Sequence, residues 1–470
     1  VKRPLLAAAL SALSYAALAS PLRAETLHDA LIRAYNANPI INSDRAGLRA
    51  IDEKVPQALA GMRPRVIGDA SFGFENRRFV QDQFEIENRD PQTRTFVQSY
   101  QDGGKPRSAM LSVEQPLFDG FKSRNTARSA ESGVFAGRER LRLTEQRVLF
   151  NTVSAYMNVM RDTAALKLQK SNVAVLVEQL RQTKERFEAG QITLTDIAQA
   201  EARLANGRAQ ESAARATLDA SIGVYRQIVG EEPRRLSPAN PVDRLLPTSR
   251  EEAERIAQIE HPLVTAALHD VDAADLNIKA LEGDFLPKMS VVGDIYTQSD
   301  VGARGNRAVG ARVQGRLSVP IYEGGLTSSR VRQAKEMAGQ KRLDVDVSRA
   351  EILALVRTNW GALQAAKAQV AAMRIQIKAA ERALYGVREE AKAGQRTTLE
   401  ILNAQRELLN ARIALIVAQR DRVVASYAVL AATGRLSVRD LGLKTEDYDP
   451  SVHFDQVKDS WGGFVTPSGR

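Results

Sequence analysis

EAGQITLTDIAQA (Glu188–Ala200) and KAGQRTTLEILNA (Lys392–Ala404) repeat one phrase 204 residues apart. The same offset carries EQPLFDG (Glu114–Gly120) onto SVPIYEG (Ser318–Gly324), and Gly230 onto Gly434. Upstream the offset is 223, where Asn38-Pro39 answers His261-Pro262 and Pro64 answers Pro287. The 19-residue difference falls between Pro64 and Pro116, where the first copy has a longer polar insertion. A period of roughly 200 residues is too long for a solenoid unit, so one large element is duplicated. The expected division is a first repeat over 25–234, a second over 235–444, and a flexible C-terminal tail over 445–470.

Each copy reads as a helix, two strands, a very long helix and a return helix. Proline lacks an N–H and clashes with the preceding helical turn. It is absent between Pro116 and Pro233, and again between Pro320 and Pro450. Inside those gaps apolar residues recur at four- and three-residue steps: Leu149, Val153, Tyr156, Met160, then Leu218, Ile222, Tyr225, Val229. This is coiled-coil-like packing, diluted by alanines that let helices approach closely. Residues 122–189 and 326–393 number 68 each, or ~100 Å at ~1.5 Å per residue. The return helices, 192–229 and 397–433, number 38 and 37, and the leading segments, 25–61 and 248–283, number 37 and 36. Two short helices stacked end to end therefore match one long helix, which predicts a rod of ~100 Å. Pro56 is expected to shorten or kink the first leading segment. Residues 234–247, with Pro238, Pro241 and Pro247, form the crossover between copies.

Between these helices the period changes to two, with strands expected at about 65–80, 108–118, 288–298 and 308–321. Val309, Ala311, Val313, Gly315, Leu317, Val319 and Ile321 alternate with Gly310, Arg312, Gln314, Arg316 and Ser318. Val66, Gly68, Ala70 and Phe72 follow the same rule more loosely; Met289, Val291, Gly293 and Ile295 continue it, as do Ala109, Leu111 and Val113. One apolar and one polar face suit a membrane-spanning strand, and equally a half-buried strand of a soluble sheet. Closure bears on the choice. Four strands cannot close a membrane barrel, and an open edge in lipid has no hydrogen-bond partner. If the strands cross a membrane the chain must oligomerise. Two copies give a barrel of eight strands, too narrow for an open conduit, whereas three give 12 strands with a 12-helix tube.

Composition excludes several chemistries. There is no cysteine, hence no disulfide, thiolate nucleophile, Cys-ligated metal or lipid attachment through cysteine. Four scattered histidines make no ligand cluster. His28-Asp29 and His269-Asp270 point apart on a helix, and no nucleophile motif accompanies them, so no enzyme, metal or cofactor is expected. The glycines of GARGNRAVGAR (Gly302–Arg312) lack the Lys-Ser/Thr helix start of a phosphate loop and read as a hairpin loop. Lys2 and Arg3, an apolar stretch from Leu5 to Ala19, and small Ala24 before Glu25 read as an export signal over 1–24. Its removal takes three cations from the net charge of +10. Export argues against nucleic acid as the partner of the remaining basic charge. No later apolar run is long enough for a transmembrane helix.

The duplicated plan, the QPLFDG and VPIYEGG junctions and the two tip phrases resemble the TolC-type outer-membrane factors, from Glu25 to about Lys444. The resemblance implies a mainly α fold with a β-barrel portion. In it the helix-strand-strand-helix unit is duplicated, and a homotrimer makes a 12-stranded outer-membrane β-barrel continued by a 12-helix periplasmic α-barrel. It implies a passive exit channel for efflux of small molecules or type I protein secretion, set in outer-membrane lipid. The partners it implies are a periplasmic adaptor and an inner-membrane ABC or proton-driven transporter. It also implies a periplasmic gate of polar links between neighbouring helix pairs. Thr195 and Asp196 match the acceptor side and Arg396 the cationic partner. Glu400 matches the first acidic ring position, Asn403 replaces the usual second acid, and Ala391 replaces a linking tyrosine. Gly190 and Gly394 match the helix-tip turns, and Pro116, Gly120, Pro320 and Gly324 the strand-to-helix junctions.

The same residues fit simpler roles. Thr193-x-x-Asp196 and Thr397-x-x-Glu400 are capping boxes, and Gly190 and Gly394 suit left-handed helix stops. Arg396 is harder to explain as a cap, which singles out its pairing with Asp196. The alternative function is a soluble periplasmic coiled-coil adaptor or scaffold, with the strands in an ordinary small sheet.

Overall fold

A computed structural model of the chain describes residues 24–85, 94–302 and 304–467, so the expected export signal lies outside the described residues but for Ala24. The polypeptide is mainly helical, and its elements run twice through one order. In the first pass α1 (Leu27–Ala37), α2 (Pro39–Asp52) and α3 (Lys54–Leu59) lead into β1 (Arg65–Phe72), β2 (Glu75–Glu85), β3 (Arg94–Gly104) and β4 (Arg107–Phe118). Helices α4 (Lys122–Glu188) and α5 (Leu194–Val229) follow. The second pass has α6 (Arg250–Glu260), α7 (Pro262–Glu282), β5 (Lys288–Ser299), β6 (Arg307–Ser318), α8 (Leu326–Lys392) and α9 (Thr398–Ala432), and α10 (Ser451–Val457) comes last.

Helices α4 and α8 are 67 residues each, without a proline or a break. The leading segments are each divided, which the periodicity does not announce. Asn38 and His261 adopt extended backbone, as residues before proline do, and Pro39 and Pro262 then open the next helix, where a missing N–H costs nothing. Both residues cap the new helix. The Asn38 Oδ1 accepts from the Ile40 N–H at 2.9 Å, and the His261 Nδ1 from the Leu263 N–H at 3.1 Å. Burial pushes the His261 imidazole down to about 4, helped by the Arg142 charge, so the ring is neutral and free to accept. Pro56 sits in the first turn of the short α3, behind a break after Asp52.

The chain packs as two compact units. One takes in residues up to 48, 136–268 and 344–450. Its core gathers four of the chain's few aromatics, Tyr35, Tyr156, Tyr225 and Tyr427, all fully buried. Glu25, also buried, ties the start of the fold to the crossover: Tyr225 Oη donates to it at 2.7 Å, Arg33 at 3.2 Å and the Arg234 N–H at 3.1 Å. Nearby, the Arg45 guanidinium lies between the rings of Tyr35 (4.5 Å) and Tyr448 (4.8 Å) and 3.9 Å from Glu145. Burial raises the Glu145 carboxyl to about 7 against the opposing pull of Arg45. Tyr448 belongs to the segment read as a flexible tail. Its N–H donates to Tyr35 Oη at 3.0 Å, and Thr445 bonds Asn36.

The other unit takes in residues 49–135, 269–343 and 451 onward. It holds a four-stranded antiparallel sheet in the order β1-β4-β5-β6, and the pair β2-β3 as a separate ribbon. The strand expected to run to about residue 80 breaks after Phe72, and Glu75 begins the ribbon instead, within the polar insertion of the first copy. Strand β6 stops at Ser318, where its partner β5 begins, so Val319–Ile321 lie outside it. The end of the chain departs from the flexible-tail reading here too. Helix α10 buries Val457 and His453, whose Nδ1 lies 2.8 Å from the equally buried Asp52. Arg63 stacks on Trp461 and bonds the Ser460 carbonyl.

Two outcomes follow. His453→Ala leaves Asp52 without this buried partner and should cost about 3 kcal/mol, read as faster hydrogen exchange across 451–457. Glu145 holds its proton more tightly folded than unfolded, so its contribution is fully present at low pH and fades as pH rises from about 4.5 toward 7. Glu145→Gln should therefore flatten the stability-pH profile and match or exceed the native protein at pH ~8, by up to ~3 kcal/mol, in denaturant melts.

Candidate functional site

Two features are the candidates for function: the helical tips and the faces of the sheet. At each tip a long helix ends, turns and restarts. Gly190 and Gly394 have φ of +73° and +77°, which a side chain would strain. The Gln191 N–H reaches back to the Arg186 carbonyl at 2.9 Å, and the Gln395 N–H to the Glu390 carbonyl at 2.9 Å. These six-to-one bonds end the helices in Schellman fashion. The return helices open on threonine. Asp196 accepts from the Thr193 N–H at 3.0 Å and hydroxyl at 2.8 Å, and Glu400 from the Thr397 N–H at 2.8 Å and hydroxyl at 3.1 Å.

Arg396 stands at the second tip. Its Nε donates to Glu390 at 2.7 Å and its Nη1 to Glu400 at 2.7 Å, so within one chain its ion pairs run to its own hairpin and not to Asp196. The Thr397 N–H and then Arg396 hold the Glu400 carboxyl below its ordinary value, and Glu390 with Glu400 raises the guanidinium. Thr195 is exposed. Asn403 accepts from Arg203 Nη2 at 3.2 Å, linking α9 to α5. Gln405 bonds Gln179 at 3.3 Å, and Leu176, Leu204 and Leu402 pack beneath. Ala391 is buried against a cavity of about 790 Å³ that Thr183, Ile401 and Gln405 also line.

At the first strand-to-helix junction Pro116 sits at a bulge in β4, and Gly120, φ +72°, lies backbone to backbone against Gly283. Asp119 caps the new helix by accepting the Ser123 N–H at 2.7 Å. At the second junction Pro320 follows the end of β6, and Gly324 has φ of +61°.

Register aligns the alternating residues of four strands into rungs. Val66–Val113–Gly293–Val313, Gly68–Leu111–Ile295–Ala311 and Ala70–Ala109–Thr297–Val309 lie across one face. That face is bare: Val309 and Val313 are 82% and 80% exposed. The opposite face is polar. Its rung Ile67–Ser112–Asp294–Arg312 holds a buried Asp294 that accepts from Ser112 at 2.8 Å and Arg312 at 2.6 Å. Among the described residues no helix is long and apolar enough to cross a membrane.

A family profile described as "Outer membrane efflux protein" matches residues 31–230 and 255–435, nearly the whole of both repeats. The chain belongs to this family. It is 40% identical to the outer membrane efflux protein BepC of Brucella suis over 95% of this chain and 93% of that protein. It is 27% identical to the alkaline protease secretion protein AprF of Pseudomonas aeruginosa, over 72% of each. The solved CmeC outer membrane channel of Campylobacter jejuni shares the fold, with a TM-score of 0.73 at 17% identity, covering 92% of this chain and 89% of that one. Family membership makes this TolC-type chain an outer-membrane exit channel.

Arg396 stands out in the sequence, whereas its partner Glu390 and the Arg203–Asn403 contact emerge from the structure. Glu390 was findable, because a turn at Gly394 brings a residue four before it near one two after it. Arg203 had no such signal; its partner Asn403 comes from the other repeat. Thr397→Ala should remove a cap worth about 1 kcal/mol, seen as faster amide exchange at Thr398–Ile401 with the helix interior unchanged.

Proposed function

We propose that three copies close their sheets into a 12-stranded barrel that spans the outer membrane, apolar face to lipid and polar face inward. One observation carries this reading: an apolar face continuous over four strands, in a sheet whose β1 and β6 edges each pair on one side only among the described residues. A lipid-facing sheet cannot keep such edges open, and a soluble one would not leave the face bare. The duct carries out no covalent chemistry. Its cargo is small molecules or secreted protein, since relatives bear both efflux and protease-secretion names. A periplasmic adaptor and an inner-membrane transporter deliver the cargo.

The tips form the gate. Thr195, Asp196 and Arg396 face neighbouring helix pairs, and Glu400 supplies one acidic ring that favours cations. The pairing of Arg396 with Glu390 and Glu400 supports a charged, salt-sensitive tip, because exposed ion pairs are screened. Asn403 and Arg203 hold the two hairpins of one chain together.

Detergent-solubilised protein should run as a trimer and conduct in planar bilayers; a soluble monomer recovered from the periplasm would overturn the reading. Arg396→Ser should raise resting conductance and lower its dependence on salt. Unchanged single-channel currents would remove Arg396 from the gate.

A further inference from the structure

The apolar face ends abruptly at the edge farthest from the helix-bearing strand ends. Along β6 the face runs from Leu317 to Val309, eight residues or ~27 Å along the strand, and ~20 Å upright at the usual tilt, the scale of an outer-membrane barrel's apolar band. The next rung is Phe72–Arg107–Ser299–Arg307, on the same face. Phe72 is 92% exposed, and both arginines are exposed. Among the described residues no carboxylate pairs with either guanidinium, whereas Arg312 on the opposite face of the same sheet is held by Asp294. Lys105, exposed two residues before Arg107, adds a third cation.

Arg107, Ser299 and Arg307 lie on three neighbouring strands, so the two arginines stand ~10 Å apart at Cα with the serine between them. Guanidiniums on long stems close that gap easily and present planar forks matched to phosphate oxygens, with a hydroxyl donor beneath. An arginine that merely reaches for water needs no partner and no neighbouring hydroxyl. We propose that this rung binds the phosphate of an outer-leaflet lipid headgroup, with Arg107 and Arg307 as the bidentate donors, Ser299 as a third and Phe72 seated at the acyl boundary. The site rests on the reading of the sheet as a membrane barrel. It is independent of the gate and of the cargo.

The test uses the full-length trimer in detergent, with bisphosphorylated lipid A as probe, lipid A stripped of both phosphates as its control, and sodium phosphate as the free anion. Native mass spectrometry counts retained lipid, and the thermal midpoint of trimer dissociation reports stabilisation. The native protein should retain and be stabilised by the phosphorylated lipid alone. Arg107→Gln and Arg307→Gln should each weaken retention roughly tenfold, and the double variant should abolish it while still conducting in planar bilayers. Equal response to sodium phosphate would overturn a lipid source. A double variant that retains lipid A as the native protein does would overturn the site. So would one that loses trimer stability without lipid while its lipid response persists, since the arginines would then serve a subunit contact. A native trimer that conducts but ignores lipid phosphate sinks this inference alone, whereas a native chain that never enters a bilayer sinks the barrel reading with it.

Discussion

The backbone along the outer sides of β1 and β6 is the constraint that the rest of this protein answers to. A four-stranded sheet leaves two rows of N–H and C=O groups without partners, and water satisfies them only if water is there. Along β5 and β6 the face between those edges is apolar on every rung from Met289–Leu317 to Ile295–Ala311. In lipid each orphaned group would cost several kcal/mol, so the edges must meet other edges. Duplication supplies half of the answer within one chain, by placing β4 beside β5 across the two repeats. On the barrel reading proposed above, the other half comes from further copies. The buried Asp294 with Ser112 and Arg312 on the opposite face makes the same point in reverse. A carboxylate held by two donors belongs on the side that is kept from hydrocarbon.

At the helical tips the side chains that cap the helices are also those proposed for the gate, and the two roles do not conflict. Asp196 and Glu400 satisfy orphan N–H groups at helix starts, where a negative charge is also favoured by the helix dipole. Each cap uses one oxygen of its carboxylate, Oδ2 of Asp196 and Oε2 of Glu400, and leaves the second for other contacts. Arg396 takes up that second oxygen of Glu400 and adds Glu390, so the local charge depends on where one guanidinium lies. An exposed pair of this kind is worth little in stability. That weakness is what the proposed gate would require of a contact that breaks and reforms.

Much of the helical fold was legible in the chain itself. Proline-free intervals, the spacing of Leu149, Val153 and Tyr156, and the repeated threonine-acid phrases each act within one or two helical turns. The breaks at Asn38 and His261 were written in the residues before Pro39 and Pro262, yet the apolar pattern runs on across them and hides them. The end of the chain misled for a different reason. Thr445–Arg470 is polar and contains glycine and proline, but its anchors are single residues, Tyr448 and His453, whose partners Tyr35 and Asp52 lie some four hundred positions earlier. No local rule reports a contact of that range.

Sequence alone determined the duplication, the long uninterrupted helices, the capped tips and the period-two strands, because each depends on backbone sterics and hydrogen bonds between near neighbours. Tertiary structure decided which strands pair and in what register, and therefore that Val66, Val113 and Val313 share one bare face and that Arg107, Ser299 and Arg307 share its last rung. It also decided that Arg396 bonds its own hairpin and that Asp52 holds His453. Register is set by long-range pairing, and a slip of one residue would turn every side chain to the opposite face.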